Sequence, residues 1–225
     1  MASYVYNPQQ AQLQNRPTLP AAVATVQIGF LLDRSGSMLS VKSETISGFN
    51  ALLEEQKKIA KEARLTLALF NDTVELICDN VPIANAHPLS SESYQPHGGT
   101  ALSDAIGRII PAIGKHASRL SSVLVIIITD GGENTSQGFA ISDVHRMVSY
   151  RQSYHRWLFL FFGPKSAETY ARQIGIPQDH IFAFNADSSG ITELMRRLGS
   201  SIAAYRLGDP TFALRLRDQS EEENN

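Results

Sequence analysis

Three stretches of this sequence are almost continuously apolar and rich in β-branched or aromatic residues, which limits the folds open to the chain. They are residues 22–32, 122–129 and 157–162. Strands that are apolar along their whole length are typical of a parallel sheet that is buried on both faces. Residues 122–129 form the most hydrophobic of the three, so we expect them to lie at the centre of that sheet.

Amphipathic segments lie between the apolar runs, as a parallel sheet covered by helices requires. Residues 43–62 are predicted to form a first helix, and a second begins near residue 101. Pro111 falls inside the second helix and predicts a kink or a break there. Further helices are predicted around residues 141–148, 167–175 and 191–202.

Two shorter strands are predicted beside the apolar runs. Residues 64–70 form one strand, and after an Asn-Asp turn at 71–72 the chain returns over 73–78 as its antiparallel partner. Residues 180–185 are predicted to form an edge strand. The sequence therefore predicts an α/β fold, doubly wound, with a mostly parallel central sheet, one antiparallel edge strand and helices on both faces. This domain is expected over residues 22–206, between a flexible N-terminal arm at 1–21 and a polar, acidic C-terminal tail at 207–225.

Polar residues stand where these apolar strands end. The first strand runs into Asp33, followed by Ser35 and Ser37, and the central strand runs into Asp130. Thr100 follows a Gly-Gly pair directly ahead of the second helix. In a doubly wound sheet, ligands bind beyond the carboxyl ends of the strands, so these side chains are expected to meet at one edge.

The five candidate residues supply two carboxylates and three hydroxyls. Hard oxygen ligands of this kind suit Mg²⁺, Mn²⁺ or Ca²⁺ better than zinc or copper. Two carboxylates held close together repel each other, and a divalent cation removes that repulsion. The sequence therefore predicts a divalent metal site at Asp33, Ser35, Ser37, Thr100 and Asp130.

These residues resemble a known motif. "DRSGS", with Thr100 in "GGTAL" and Asp130 in "TDGGEN", is similar to the metal-ion-dependent adhesion site of von Willebrand factor type A domains, over about residues 22–206. The resemblance implies a von Willebrand factor type A fold, related to the Rossmann fold. It also implies that Ser35, Ser37 and Thr100 contact the metal directly or through water, with the aspartates acting largely through water. A Glu or Asp carboxylate from a partner protein would fill an open coordination position.

Two other functions are compatible with part of this pattern. A magnesium-dependent phosphohydrolase of the haloacid dehalogenase type is an alternative, but it needs an aspartate where this chain has Ser35. A structural adaptor with a metal-free site is another, in which Asp33 and Ser35 only cap a helix. The sequence lacks Gly-x-Ser-x-Gly, Walker A and Gly-x-Gly-x-x-Gly motifs, and we therefore expect a protein-interaction module rather than an enzyme.

Composition adds expectations about partners and location. The formal charge is −2, which gives no reason to expect nucleic acid or a membrane as a partner. Cys78 is the single cysteine, and the first fifteen residues lack the pattern of a signal peptide. These features favour a cytoplasmic protein similar to the intracellular bacterial branch of the family, whose members often work beside ATPases or in stress responses. The sequence leaves open the oligomeric state and any role at the site for His97 or Glu133.

Overall fold

The computed structural model describes residues 25–212 and residue 216, and these contain a six-stranded sheet. The strand order is β3-β2-β1-β4-β5-β6. All pairs are parallel except β2 with β3, which is antiparallel. The strands are β1 (Val26–Asp33), β2 (Ala63–Phe70), β3 (Val74–Pro82), β4 (Ser122–Ile128), β5 (Leu158–Gly163) and β6 (Ile181–Ala183).

Helices cover both faces of this sheet. They are α1 (Lys42–Lys57), α2 (Leu102–Gly114), α3 (Ile141–His155), α4 (Glu168–Gln173) and α5 (Ser188–Leu207). Short 3-10 turns lie at Gly36–Val41, Ile83–Asn85, Lys165–Ala167 and Gln178–His180. The α/β class, the antiparallel edge strand and the central position of β4 are confirmed.

The core lies on the two faces of the sheet because alternate strand residues point in opposite directions. One buried cluster joins residues such as Phe30 and Ile126 to α1 and α5. The other joins residues such as Leu31 and Ile127 to α2, α3 and α4. Gly29 allows α2 to approach β1, since a Cβ at Gly29 would lie 2.4 Å from the Ile113 Cδ1 atom.

The point where the strand order reverses lies between β1 and β4. These strands pair in register, with Leu32 opposite Ile128, so their carboxyl ends lie side by side. The chain leaves β1 for α1, which packs on one face of the sheet, and leaves β4 for α3, which packs on the other. The edge beyond the carboxyl ends of the strands at such a switch point is the usual ligand site of a doubly wound fold.

Two helix predictions needed correction. The first helix was predicted over residues 43–62, but α1 ends at Lys57. The buried Arg206 of α5 stabilises this end, because its guanidinium donates to the backbone carbonyl of Gln56 in the last turn of α1 and to those of Ile59 and Lys61 beyond it. The second helix was predicted to kink or break at Pro111, but α2 continues through it to Gly114. Pro111 lies on the exposed side of α2, where its ring meets solvent rather than the core.

The proposed terminal segments fall mostly outside the described residues. The arm at 1–21 lies wholly outside them, and of the segment 207–225 only residues 207–212 and 216 are described. Phe212 and Leu216 are buried against the α1–α5 core cluster. Among the described helices, none combines the length and the apolar character needed to cross a bilayer.

Candidate metal centre

The carboxyl ends of β1 and β4 bring three of the predicted site residues into direct contact. The Ser37 hydroxyl donates to Asp130 Oδ1 at 2.7 Å, and the Ser35 hydroxyl lies 3.5 Å from the same oxygen. The Ser35 and Ser37 hydroxyl oxygens are 3.1 Å apart. Residues 95 positions apart in the sequence thus share one hydrogen-bonded cluster, as expected from the strand register.

Asp33 lies beneath this cluster and is fully buried. Its Oδ1 accepts the Ser35 backbone N–H at 2.7 Å, and its Oδ2 accepts the Thr129 hydroxyl at 2.5 Å. Its backbone carbonyl accepts the hydroxyl of the buried Tyr94 at 2.6 Å. Burial raises the pKa of Asp33 from 3.8 to about 6, and the hydrogen bonds from Thr129 and Ser35 oppose that rise only in part. A nearby cation would stabilise the ionised form.

The loop before Thr100 packs against the loop after β1. The Gly36 N–H donates to the Gly98 carbonyl at 3.0 Å. Gly98 has a φ of +73°, and a Cβ there would lie 2.0 Å from a carboxylate oxygen of Asp72. Asp72 also accepts the Gly99 N–H at 2.8 Å. A glycine is therefore required at position 98 both by the backbone angle and by the closeness of Asp72.

Asn134 fixes the position of Thr100. Its side-chain oxygen accepts the Thr100 N–H at 2.8 Å, and its own N–H donates to the Thr100 carbonyl at 3.1 Å. Thr100 is buried, and its hydroxyl would lie 3.8 Å from a Cβ built on Gly131. Thr100 is therefore next to the residue that follows Asp130. The structure thus brings all five predicted residues to one edge of the sheet.

Glu133 holds the loop after β4 onto the start of α2. Its carboxylate accepts the backbone N–H groups of Ser103, Thr135 and Ser136 and the Ser136 hydroxyl, at 2.6 to 3.1 Å. A carboxylate is well placed there because the N-terminus of a helix carries a partial positive charge. Glu133 is thus fully engaged in holding this loop, and its carboxylate is directed at α2.

His97 is also engaged within its own loop. Its Nδ1 lies 2.8 Å from the Gln95 carbonyl, and its Nε2 lies 3.0 Å from the side-chain nitrogen of Asn71. This geometry fits an arrangement in which Nδ1 donates to the Gln95 carbonyl and Nε2 accepts from Asn71. Both ring nitrogens therefore stabilise the loop that leads to Thr100.

Sequence reasoning missed the residues that position the site. Thr129 directly precedes Asp130, and its place at the end of β4 was the one available signal. Tyr94 is 61 positions from Asp33, and the sequence offers no sign of their contact. Asn134 lies in the loop after β4, and nothing in the sequence around it indicates that its side chain holds Thr100 in place.

The chemistry of this donor set fits a hard divalent cation. Two carboxylates and three hydroxyls lie together at this edge of the sheet, and oxygen donors of this kind suit a hard divalent cation. Asp72 and Glu133 add negative charge to the same edge of the sheet, which favours the approach of a cation. The binding of a metal by these five residues stays a prediction.

Comparison with known proteins finds likeness at the level of structure. No protein-family model matches this sequence, and no curated protein does. A von Willebrand factor type A protein from Catenulispora acidiphila superposes with a TM-score of 0.58 at 14% identity, over 80% of this chain and 43% of that one. Proximal thread matrix protein 1 from the mussel byssus, solved with a zinc-occupied MIDAS motif, superposes at 0.56 and 13% identity, over 80% of this chain and 46% of that one.

A third solved structure shows a similar likeness. The manganese-loaded TRAP protein of Plasmodium vivax superposes with a TM-score of 0.54 at 16% identity, over 77% of this chain and 72% of that one. The chain spans about half the length of the first two proteins. At such low identities the likeness establishes the fold. The strand order, with its reversal between β1 and β4, and these superpositions together show that the chain has the von Willebrand factor type A fold.

Proposed function

We propose that this chain is a metal-dependent protein-interaction module rather than an enzyme. The observation that carries the proposal is the convergence of Ser35, Ser37 and Asp130 above the buried Asp33, at the switch point of the sheet. In this proposal Asp33, Ser35, Ser37, Thr100 and Asp130 hold a divalent cation. That cation would supply a positive charge that attracts a Glu or Asp carboxylate of a partner protein.

The residues of this chain have distinct tasks in the proposal. Ser37 is exposed and Asp130 is half-buried, so they form the solvent side of the site, whereas Asp33 supplies negative charge from below. Thr129 and Tyr94 keep Asp33 in position from two sides. Preorganised ligands of this kind lower the entropic cost of binding a metal and a partner.

Magnesium is the proposed resident ion, with manganese or calcium as substitutes, because all five side chains offer hard oxygen atoms. Two solved proteins of the same fold are described as zinc-occupied and manganese-loaded, which supports a divalent cation in general. A cytoplasmic location, a bacterial origin and work beside an ATPase or in a stress response remain part of the proposal.

Metal binding is tested by thermal unfolding of the purified chain in Mg²⁺ or Mn²⁺ and in chelator. At ten times Kd, the metal adds about 1.4 kcal/mol to the free energy of unfolding, which raises Tm by about 3–6 °C. Ser37→Ala should abolish this rise. Ser43→Ala is the matched control, since Ser43 is an exposed serine six positions further on, in α1. Equal melting curves of the wild type with metal and with chelator would contradict the metal site.

Partner binding is tested separately by a metal-dependent pull-down from the native lysate. Asp130→Ala should lose the captured protein while it keeps the wild-type circular dichroism spectrum. Re-addition of Mg²⁺ after chelation should restore capture by the wild type and leave the variant unchanged. Full binding that is insensitive to chelator would move the interface to another surface.

A further inference from the structure

A second surface carries exposed aromatic rings at the C-terminal end of α3. Tyr150 is 52% exposed and Tyr154 is 76% exposed, and their ring centroids are 5.1 Å apart. The His155 ring lies 5.2 Å from the Tyr150 ring. We name Tyr150, Arg151, Tyr154, His155 and Arg156 the α3 surface. Adjacent exposed rings differ from the single exposed apolar residues that every protein surface carries.

The surroundings of the α3 surface are basic, although the whole chain has a formal charge of −2. Residues 105–128 and 144–167 contain seven Arg and Lys residues and no Asp or Glu. One of the seven, Arg146, pairs with Asp143 just before the second stretch, and His116 lies 3.7 Å from Asp79 of β3. Glu62 before β2, Asp79 on β3 and Asp179 before β6 also lie towards this edge, but no Asp or Glu lies in the connections before β4 and β5 or in the second half of α3, so these segments carry only positive formal charge.

The topology gathers four of these seven residues, Lys115, Arg119, Arg151 and Arg156, at one edge of the sheet, whereas Lys165 follows β5 and lies at the opposite edge. Lys115 and Arg119 are exposed and precede β4, and Arg156 is exposed and precedes β5. Since β4 and β5 are adjacent and parallel, with Leu124 opposite Leu158, their preceding connections lie at the same edge. The basic residues of two separate connections therefore lie at the edge of the sheet that also carries the C-terminal end of α3.

Arg151 holds this surface together. Its guanidinium carbon lies 4.6 Å from the centroid of the buried Trp157 ring and 5.9 Å from the Tyr150 ring. Its guanidinium also lies against Gly114, where a Cβ would be 2.5 Å from Nη2. The arginine thus joins the end of α2 to α3, and stacking limits the rotamers of its long side chain.

We propose that the α3 surface, with Lys115 and Arg119, binds an acidic segment of a partner protein. The carboxylates of that segment would meet the arginines, and an apolar side chain would pack on Tyr150 and Tyr154. Tyrosine and arginine contribute most to the binding energy of protein interfaces, and opposite charge steers the encounter. Single-stranded nucleic acid is less well matched, because it requires a basic groove that follows the strand, whereas a helix face is convex.

This surface is separate from the metal centre. It lies at the amino ends of β4 and β5, whereas the metal centre lies at the carboxyl ends of β1 and β4. β4 has seven residues, and a strand rises about 3.3 Å per residue. The two sites are therefore about 23 Å apart. One molecule can therefore bind two acidic segments at once, one through the metal and one without it.

The test measures binding of a labelled ten-residue peptide of glutamates with two phenylalanines, by fluorescence anisotropy. All titrations contain chelator and use the Asp130→Ala background, so that the metal centre contributes nothing. The peptide should bind, and binding should weaken as salt increases. Tyr154→Ala and Arg156→Glu should each weaken it at least about tenfold. Both residues are exposed, so both variants should keep the wild-type Tm.

Matched controls decide between outcomes. Lys58→Glu reverses an exposed charge at the end of α1, on the other face of the sheet, and should leave peptide binding unchanged. A peptide with glutamine in place of glutamate should not bind. Absence of binding by the acidic peptide, or equal binding by all variants, would overturn the proposal. Tighter binding of a ten-nucleotide oligothymidine than of the peptide would also overturn it, in favour of nucleic acid.

Discussion

Asp33 should make the metal-free protein less stable at neutral pH than a neutral side chain would. Its carboxylate is fully buried and accepts hydrogen bonds from Ser35 and Thr129, yet burial still raises its pKa to about 6. The folded state therefore binds a proton more tightly than the unfolded state does. The stabilisation by that proton is complete below pH 3.8 and is lost as the pH rises through about 6.

The size of the effect follows from the two pKa values. A rise in the pKa of Asp33 from 3.8 to about 6 means that ionisation of Asp33 lowers the free energy of unfolding by about 3 kcal/mol. Asp33→Asn removes the charge, but its amide fits the hydrogen-bond donors less well, which lowers the free energy of unfolding by about 1 kcal/mol. The variant should therefore be more stable than the wild type by about 2 kcal/mol at pH 7.5, which raises Tm by about 4–8 °C.

The assay is chemical unfolding of both proteins in chelator, between pH 4 and pH 8. The stability difference between them should grow as the pH rises and level off above pH 7. Asp130→Asn is the control, since Asp130 is only half-buried and should show a smaller gain. With saturating Mg²⁺ the wild type should become more stable than Asp33→Asn, because only the wild type gains the full free energy of metal binding. A stability difference that does not vary with pH would refute the reasoning.

Two further predictions concern residues outside the five proposed ligands. Asn134→Ala should release Thr100 and lower the affinity for Mn²⁺ about tenfold, as measured by electron paramagnetic resonance. Asn134→Asp keeps the acceptor oxygen and should restore most of that affinity. Equal affinity in the wild type and both variants would contradict this positioning role. Arg206→Leu should lower the free energy of unfolding by about 3 kcal/mol in urea, because several carbonyls at the end of α1 lose a charged donor. Arg196→Leu, on the exposed side of α5, should lower it by less than about 1 kcal/mol. A similar loss in both variants would contradict the role of Arg206.

The local pattern of the sequence was enough to predict most of the architecture. Strands such as β1 and β4 are apolar along their length, and this already requires a sheet buried on both faces. The turn at residues 71–72 made the antiparallel partner of β2 recognisable. The end of α1 could not be predicted, because it depends on Arg206, about 150 positions later in the chain.

For the metal centre too, part could be predicted from the sequence and part depends on the tertiary structure. The residue types at Asp33, Ser35, Ser37, Thr100 and Asp130 and their places at the strand ends are properties of the sequence, since hard oxygen atoms next to apolar strands are visible there. Their convergence depends on the pairing of β1 with β4, which is a long-range contact.

The supporting contacts of the site and the α3 surface were decided by tertiary structure alone. Tyr94 reaches Asp33 across 61 positions, and Asn134 reaches Thr100 across 34. The basic residues of the α3 surface and its neighbours are dispersed along the sequence and meet only because β4 and β5 start at one edge of the sheet. Hydrophobic pattern acts over a few neighbouring residues and is therefore readable from the chain, whereas hydrogen-bond partners and surface charge depend on which distant segments the fold brings together.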